Sequence, residues 1–207
     1  MNKKHLLIIF VKNPELGKCK TRLAATIGNQ KALNFYKNML KRTKEVAEDV
    51  NADKAVYYSS FIDENDLWSN QRPFYKYLQN LNPDLGIKMQ SAFEEAFQGG
   101  YESVCIIGSD CYDLDEKVVD QAFKSLESKD AVLGPCNDGG YYLLGMNQLH
   151  PELFKNKNWS TETVASDSIQ DFKNLNLKYV LLEELTDIDN EEDLMSIPDE
   201  VIEEFLS

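Results

Sequence analysis

Leu6-Leu7-Ile8-Ile9-Phe10-Val11 is an unbroken apolar run, and Lys12-Asn13-Pro14-Glu15-Leu16-Gly17-Lys18-Cys19-Lys20-Thr21-Arg22-Leu23 follows it directly. The run lacks the alternating polar residues of a strand with one wet face, so His5–Val11 reads as a strand covered on both faces. Such strands belong to parallel sheets flanked by helices, and the chain repeats the pattern. A helical stretch from about Thr21 to Val50 carries Leu33, Tyr36, Met39, Leu40, Thr43, Val46 and Ala47 at helical spacing, with Gly28-Asn29 interrupting it. Ala55–Ser59 predicts a second strand, whereas Asp63–Pro83 mixes Trp68, Phe74, Tyr75 and Tyr77 with polar residues and gives no period. Asp84–Phe97 predicts a helix closed by Gly99-Gly100, Ser103–Ile107 a strand, Asp115–Leu126 a helix and Ala131–Leu133 a strand. Tyr141–Met146 is a strand after the Asn137-Asp138-Gly139-Gly140 turn; Thr161–Leu175 is a helix, Lys178–Leu182 a strand, and an acidic helical tail starts near Glu191. This alternation predicts an α/β fold, a three-layer α/β/α sandwich on a mostly parallel sheet, in a single domain over residues 1–207. In such sheets ligands bind beyond the carboxyl ends of the strands.

Composition narrows the function. With 22 Lys+Arg against 35 Asp+Glu in 207 residues, the formal charge is −13. That excess argues against non-specific binding to nucleic acid or to an anionic membrane. Apolar residues at 43% and charged residues at 28% suit a globular domain, which at this length buries about 70% of its unfolded surface without disulfides or a structural metal. The apolar run after Lys3 and Lys4 is too short to span a bilayer, and no small-residue cleavage site follows it. Cys19, Cys105, Cys111 and Cys136 form no C-x-x-C pair, so reduced thiols and a cytoplasmic location are expected. His5 and His150 alone give little support to a zinc site or a Ser-His-Asp triad.

Three segments fall at strand ends. Lys12–Arg22 holds four cations in eleven positions, and Lys20 and Arg22 lie near a helix start, where positive side chains oppose the macrodipole. Backbone N–H groups, a permissive Gly17, Thr21 and the lysine and arginine side chains together suit a phosphate chain, although the segment is not a P-loop and reads equally as a solvated basic loop. Ile106-Ile107-Gly108-Ser109-Asp110 ends a buried strand with a carboxylate that either holds a hard divalent ion or closes a turn, while Asp113 or Asp115 caps the next helix. Asn137-Asp138-Gly139-Gly140 reads as an ordinary turn, or as bare backbone against which a ligand lies while Asp138 reaches a hydroxyl. In Asp187-Ile188-Asp189-Asn190-Glu191-Glu192-Asp193, Asp189 or Asn190 is a helix cap, or an acid returning to the sheet edge as a second metal ligand.

These segments, in this order, resemble the nucleotide-diphospho-sugar transferase superfamily of GT-A fold. Within it they resemble most a small bacterial family of glycosyltransferases often associated with radical-SAM and selenium-related proteins. The residues that carry the resemblance are F-V-K-N-P-E-L-G-K-C-K-T-R-L (Phe10–Leu23), P-D-L-G-I-K-M (Pro83–Met89), I-G-S-D-C (Ile107–Cys111), L-G-P-C-N-D-G-G-Y-Y-L-L-G (Leu133–Gly145), W-S-T (Trp159–Thr161) and D-I-D-N-E-E-D-L (Asp187–Leu194). Tyr112 stands where that family commonly has proline, and Ile87-Lys88 replaces its Glu-Arg.

The resemblance implies a Rossmann-like nucleotide-diphospho-sugar transferase fold. It implies Lys12, Gly17, Lys20, Thr21, Arg22 and Ser109 at the nucleotide, and Asp110 and Asp189 at a magnesium or manganese ion. It implies Asp138, Gly139, Gly140 and Trp159 beside the transferred or accepting group, with Asp110 and Asp138 as the catalytic candidates. Two chemistries share that architecture: glycosyl transfer from a nucleotide-sugar, and nucleotidyl transfer by attack on the alpha-phosphate of a nucleoside triphosphate. The lysine-rich loop also resembles the phosphate loop of guanylyltransferases acting on phospholactate. A third reading is a catalytically idle nucleotide-binding module. The expected partners are a nucleotide or nucleotide-sugar and a small-molecule acceptor, with no nucleic acid, no membrane insertion and a homodimer left open.

Overall fold

β1 (His5–Val11) lies inside the sheet of a computed structural model that describes residues 4–68 and 73–207. β2 (Asp53–Tyr58) and β4 (Ser103–Ile107) flank β1, both parallel to it. Beyond β2 lies β3 (Phe74–Leu78), also parallel. On the other side, β6 (Tyr141–Met146) is antiparallel to both β4 and β5 (Ala131–Pro135), and β7 (Tyr179–Leu181) closes the edge parallel to β5. The described residues thus form a seven-stranded sheet of order β3-β2-β1-β4-β6-β5-β7, mostly parallel, as the continuous apolar runs predict.

The two faces of β1 divide the core. Leu7, Ile9 and Val11 pack with Leu33, Tyr36 and Leu40 of α2 (Asn29–Asp49) and with Val119 and Phe123 of α4 (Glu116–Ser125). Leu6 and Ile8 pack with Met89, Ala92 and Phe93 of α3 (Leu85–Gln98) and with Phe172 of α5 (Val164–Asn174). Each fully buried large side chain contributes roughly 1.5–3 kcal/mol of hydrophobic stabilisation, so neither face can turn to water. Ahead of α2 runs the short α1 (Thr21–Ile27), separated from it by Gly28 at φ 86°. Leu23 of α1, Phe35 and Met39 of α2, Ile188 and Leu194 form a third apolar cluster, against which Phe205 of α6 (Asp199–Leu206) also packs.

Three boundaries differ from the pattern in the sequence. β3 falls inside Asp63–Pro83, where an apolar position is taken by Lys76, buried and ion-paired to Asp66 (2.8 Å) beneath the Tyr58 ring. That buried cation erases the alternation that would have marked the strand; residues 69–72 of the same region lie outside the described residues. α5 begins only at Val164, because Thr161 donates its hydroxyl to the Asn158 carbonyl (2.7 Å) and closes a turn there. In the acidic segment Asn190 accepts from the Glu192 and Asp193 amides and closes a turn, while the last helix starts only at Asp199 behind Pro198, so neither Asp189 nor Asn190 caps it and Asp189 is left for another partner.

Asp115 caps α4 by accepting from the Val118 amide at 2.9 Å. Asp115→Ala is expected to lower the unfolding free energy by about 1 kcal/mol in urea denaturation.

Candidate active site

Chain connections at the carboxyl ends of β1 and β4 bring three distant segments together. Leu23 and Ile188 are both fully buried in the third cluster, and each fixes the residue beside it, Arg22 and Asp189. Backbone pairing does the same for Asp110. Its carbonyl accepts from the Ile188 amide (2.9 Å), and Cys111 bridges to Asp187 as an isolated antiparallel pair. Gly108 gives the Asp110 carboxylate its room, since a Cβ there would stand 2.7 Å from Asp110 Oδ1.

At the junction lies Lys20. It precedes α1 in a left-handed backbone conformation (φ 47°), rare for a residue with a Cβ, and this turns its side chain inward. Lys20 Nζ donates to Asp189 Oδ1 (2.8 Å) and Asp110 Oδ2 (3.2 Å), with the lysine side chain only 5% exposed. Arg22 Nη1 stands 3.4 Å from Asp189 Oδ2. The clash of Lys20 and Arg22 with the helix macrodipole is therefore answered by the protein's own carboxylates. Burial pushes the Lys20 ammonium toward neutrality, but Asp110 and Asp189 outweigh it and hold its pKa above the ordinary lysine value. Burial likewise raises the Asp189 carboxyl, and Lys20, Arg22 and Lys12 outweigh it, so that carboxylate titrates below its usual range.

Next to this pair the charge is unbalanced. Burial, reinforced by Asp110, Asp138 and Asp189, pushes the Asp187 carboxyl up to about 7. Cys136, Asp138 and Asp187 bring one ligand atom each to within 4.8 Å of one another. The Cys136 thiol is held protonated by burial and by these acids, which suits it poorly to a hard cation. The carboxylate oxygens of Asp110 and Asp189 do fit such a cation. Both side chains are partly open to the cleft, 41% and 33% exposed, and stand on either side of the Lys20 ammonium.

A cleft of about 420 Å³ opens over these residues. Lys12, Lys20, Thr21, Arg22, Asp110 and Asp189 line it, together with Phe10, Ser59, Gln79, Leu85 and Lys88. Arg22 and Asp110 thus share one cleft. Ser109 also lines it, but its hydroxyl pairs with the Tyr36 hydroxyl (3.2 Å). Tyr36 Oη also accepts from the Lys12 amide (2.8 Å) and donates to the Lys12 carbonyl (3.1 Å), which pins the end of β1. Burial raises the Tyr36 hydroxyl to about 12, so it stays neutral.

Other expected site residues stand elsewhere. Gly17, at φ 75°, shapes the loop outside the cleft wall. Asp138 is exposed in its turn and accepts from the Gly140 amide (2.7 Å). Gly139 and Gly140 do not line the cleft; the Glu162 backbone carbonyl fills the space beside Gly139 where a side chain would stand. Trp159 covers Gly86 in the first turn of α3, its ring occupying the place of a Cβ. Tyr112 packs edge-on against Phe205. A hollow of similar volume at the opposite end of β1 and β2, lined by Lys4, His5 and Lys54, receives none of the expected residues.

Two residues given no role from the sequence support the site: Gln79, which lines the cleft, and Asn13, which lies in the Phe10–Leu23 stretch next to it. Gln79 spends both amide hydrogens on the Val11 (3.2 Å) and Tyr57 (3.1 Å) carbonyls, leaving Oε1 as its free acceptor. Asn13, buried, ties the cationic loop to β2's exit by accepting from the Ser60 amide (3.0 Å) and donating to the Phe61 carbonyl (2.8 Å). The signal for Asn13 was its place at a strand's carboxyl end; Gln79 had none.

Fold and cleft together define an α/β protein of the nucleotide-diphospho-sugar transferase fold, and three solved structures share that architecture. A protein from Desulfovibrio desulfuricans, provisionally named a nucleotide-diphospho-sugar transferase, is 30% identical with a TM-score of 0.84, over 93% of this chain and 85% of its own. The 4-diphosphocytidyl-2C-methyl-D-erythritol synthase of Anaerococcus prevotii is 13% identical (TM-score 0.59; 94% of each chain), and a Mycobacterium tuberculosis protein in complex with manganese is 7% identical (TM-score 0.58; 94% and 98%). These two show the fold alone. No curated protein matches the sequence. The chain belongs to DUF2064, a family described as "Uncharacterized protein conserved in bacteria", which matches residues 42–161. Among the described residues no helix is long and apolar enough to cross a membrane.

Proposed function

We propose that this protein is a metal-dependent, nucleotide-using transferase that moves a sugar from a nucleotide-sugar donor to a small-molecule acceptor. The observation that carries the reading is the convergence of Lys12, Lys20 and Arg22 with Asp110 and Asp189 on one cleft. The relative at 30% identity, provisionally named a nucleotide-diphospho-sugar transferase, supports the donor class.

In this reading Asp110 and Asp189 hold magnesium or manganese, which when bound supplies electrostatic stabilisation to the departing diphosphate. Arg22, 65% exposed and on the rim, and Lys12 supply positive charge to the phosphate oxygens. The Tyr36 and Asn13 hydrogen bonds hold the backbone at Lys12 in place, so that this lysine is carried on a fixed strand end. The uncharged lining residues take the base, with Phe10 and Leu85 offering apolar faces and Gln79 Oε1 an acceptor for a base N–H.

A second reading is nucleotidyl transfer, favoured by Lys12 and Lys20 on the loop after β1 and Arg22 at the start of α1, where a triphosphate would need the most countercharge. Incubation with nucleoside triphosphates and with nucleotide-sugars, each with magnesium, separates the two. Acceptor-dependent release of nucleoside diphosphate is expected; pyrophosphate release instead establishes the second reading. Failure of every nucleotide, with metal, to raise the melting temperature sinks both, because a saturating ligand must stabilise the state it binds.

A further inference from the structure

Lys20 Nζ stands between the two carboxylates assigned to the metal, 2.8 Å from Asp189 and 3.2 Å from Asp110. From this geometry we infer that Lys20 is an interlock: it occupies the metal's carboxylates in the free protein and releases them only when a polyphosphate enters the cleft and accepts its ammonium. The inference rests on the proposed function and adds an order to it, in which metal and nucleotide bind together and neither binds well alone.

Lys20 takes Asp110 Oδ2 and Asp189 Oδ1, and Arg22 stands beside Asp189 Oδ2, so a divalent ion bridging the two carboxylates meets groups that already hold an ammonium between them. A divalent ion takes its oxygens at about 2.0–2.1 Å if magnesium, and an ammonium already bonded to the same two groups would sit against it with like charge. Lys20 must then turn away. Its stem is enclosed, and its left-handed backbone aims it inward, so the direction open to the ammonium is the cleft itself. A buried ammonium stripped of its partners is costly, which opposes metal entry so long as the cleft holds only water. Phosphate oxygens beside Lys12 and Arg22 give the ammonium a new partner and free Asp110 and Asp189 in the same step. Arg22 does not replace Lys20 as the lock, because its side chain is 65% exposed and touches Asp189 alone, at 3.4 Å. Coupling of this kind is reciprocal, so the metal strengthens nucleotide binding by the factor by which the nucleotide strengthens metal binding.

The test is manganese binding to the whole protein, followed by electron paramagnetic resonance of bound and free Mn²⁺. Measurements are made with Mn²⁺ alone and with an equimolar mixture of ATP, GTP, CTP and UTP, corrected for Mn²⁺ held by free nucleotide. Wild type is expected to bind Mn²⁺ on the order of 10- to 100-fold more tightly with the nucleotides than without. Lys20→Met removes the ammonium and keeps the stem; it is expected to bind Mn²⁺ alone at least about tenfold more tightly than wild type. Lys20→Met with Asp189→Asn loses that gain. Should Lys20→Met fail to fold without metal, its recovery of a cooperative melt on adding Mn²⁺ supports the interlock, and the wild-type arm still decides. Equal Mn²⁺ affinity in wild type with and without nucleotide overturns the interlock, as does a folded Lys20→Met no tighter than wild type. If wild type retains no Mn²⁺ even with nucleotide while Lys20→Met alone binds it, release by nucleotide is disproved, and the interlock falls together with the metal–nucleotide function; equal but measurable Mn²⁺ binding by wild type with and without nucleotide removes the interlock alone.

Discussion

Asp110→Asn is expected to lower transferase turnover on the order of 10³-fold, some 4 kcal/mol of transition-state stabilisation, while leaving the fold nearly as stable. The two halves of this expectation have different origins. Asn keeps a carbonyl oxygen within reach of Lys20 Nζ, and Asp189 remains 2.8 Å away on the other side, so the buried ammonium keeps its partners. The Asp110 side chain is 41% exposed, and the backbone link from Ile188 to the Asp110 carbonyl is untouched. Such a change should alter unfolding free energy by no more than about 1 kcal/mol. Catalysis has no such cushion. Asparagine offers a hard cation a neutral oxygen, and the charge that would hold the ion against departing phosphates is gone. The check is release of nucleoside diphosphate or pyrophosphate, whichever wild type produces, beside a urea titration. A fall of less than tenfold with intact folding would mean that Asp110 serves only as a counter-ion for Lys20.

The layered fold was legible because both-sides burial forces continuous apolar sequence, as in Leu6–Ile9, and Ser103–Ile107 and Tyr141–Met146 end where their runs end. β3 was not, because Lys76 occupies an interior position and its cost is met by Asp66, a residue no local pattern connects to it. The same asymmetry runs through the site. Lys20, Arg22, Asp110 and Asp189 stood out as charges at the ends of apolar elements, and it is the fold that brings them to one cleft. What charge could not reveal is which partner each ion takes: Lys20 reads as a phosphate ligand, yet it faces two carboxylates 90 and 169 positions away. Nor could the sequence separate a glycine that admits a ligand from one that admits another stretch of chain. Gly139 is of the second sort, because the Glu162 carbonyl fills the space beside it.

That distinction makes Gly139→Ala the substitution with the largest expected effect on stability, about 3–5 kcal/mol. Gly139 has φ 88°, in the left-handed half of conformational space, where a Cβ alone costs roughly 1–2 kcal/mol. The new methyl would also fall well inside contact distance of the Glu162 carbonyl oxygen, its carbon and its Cα, a backbone wall and not a side chain able to swing aside. Relief requires the 159–163 segment to move off, and that breaks the bond from the Ala165 amide to the Gly139 carbonyl (2.9 Å) which anchors the first turn of α5. Gly140→Ala is the matched control. Its Cβ would meet the Asp138 carboxylate at 3.0 Å, a flexible group in an exposed turn, and the expected cost is under about 1 kcal/mol. Urea denaturation of the two variants side by side measures the difference. Equal costs would mean that the Glu162 segment yields freely, and that bare backbone at Gly139 is open to a ligand after all.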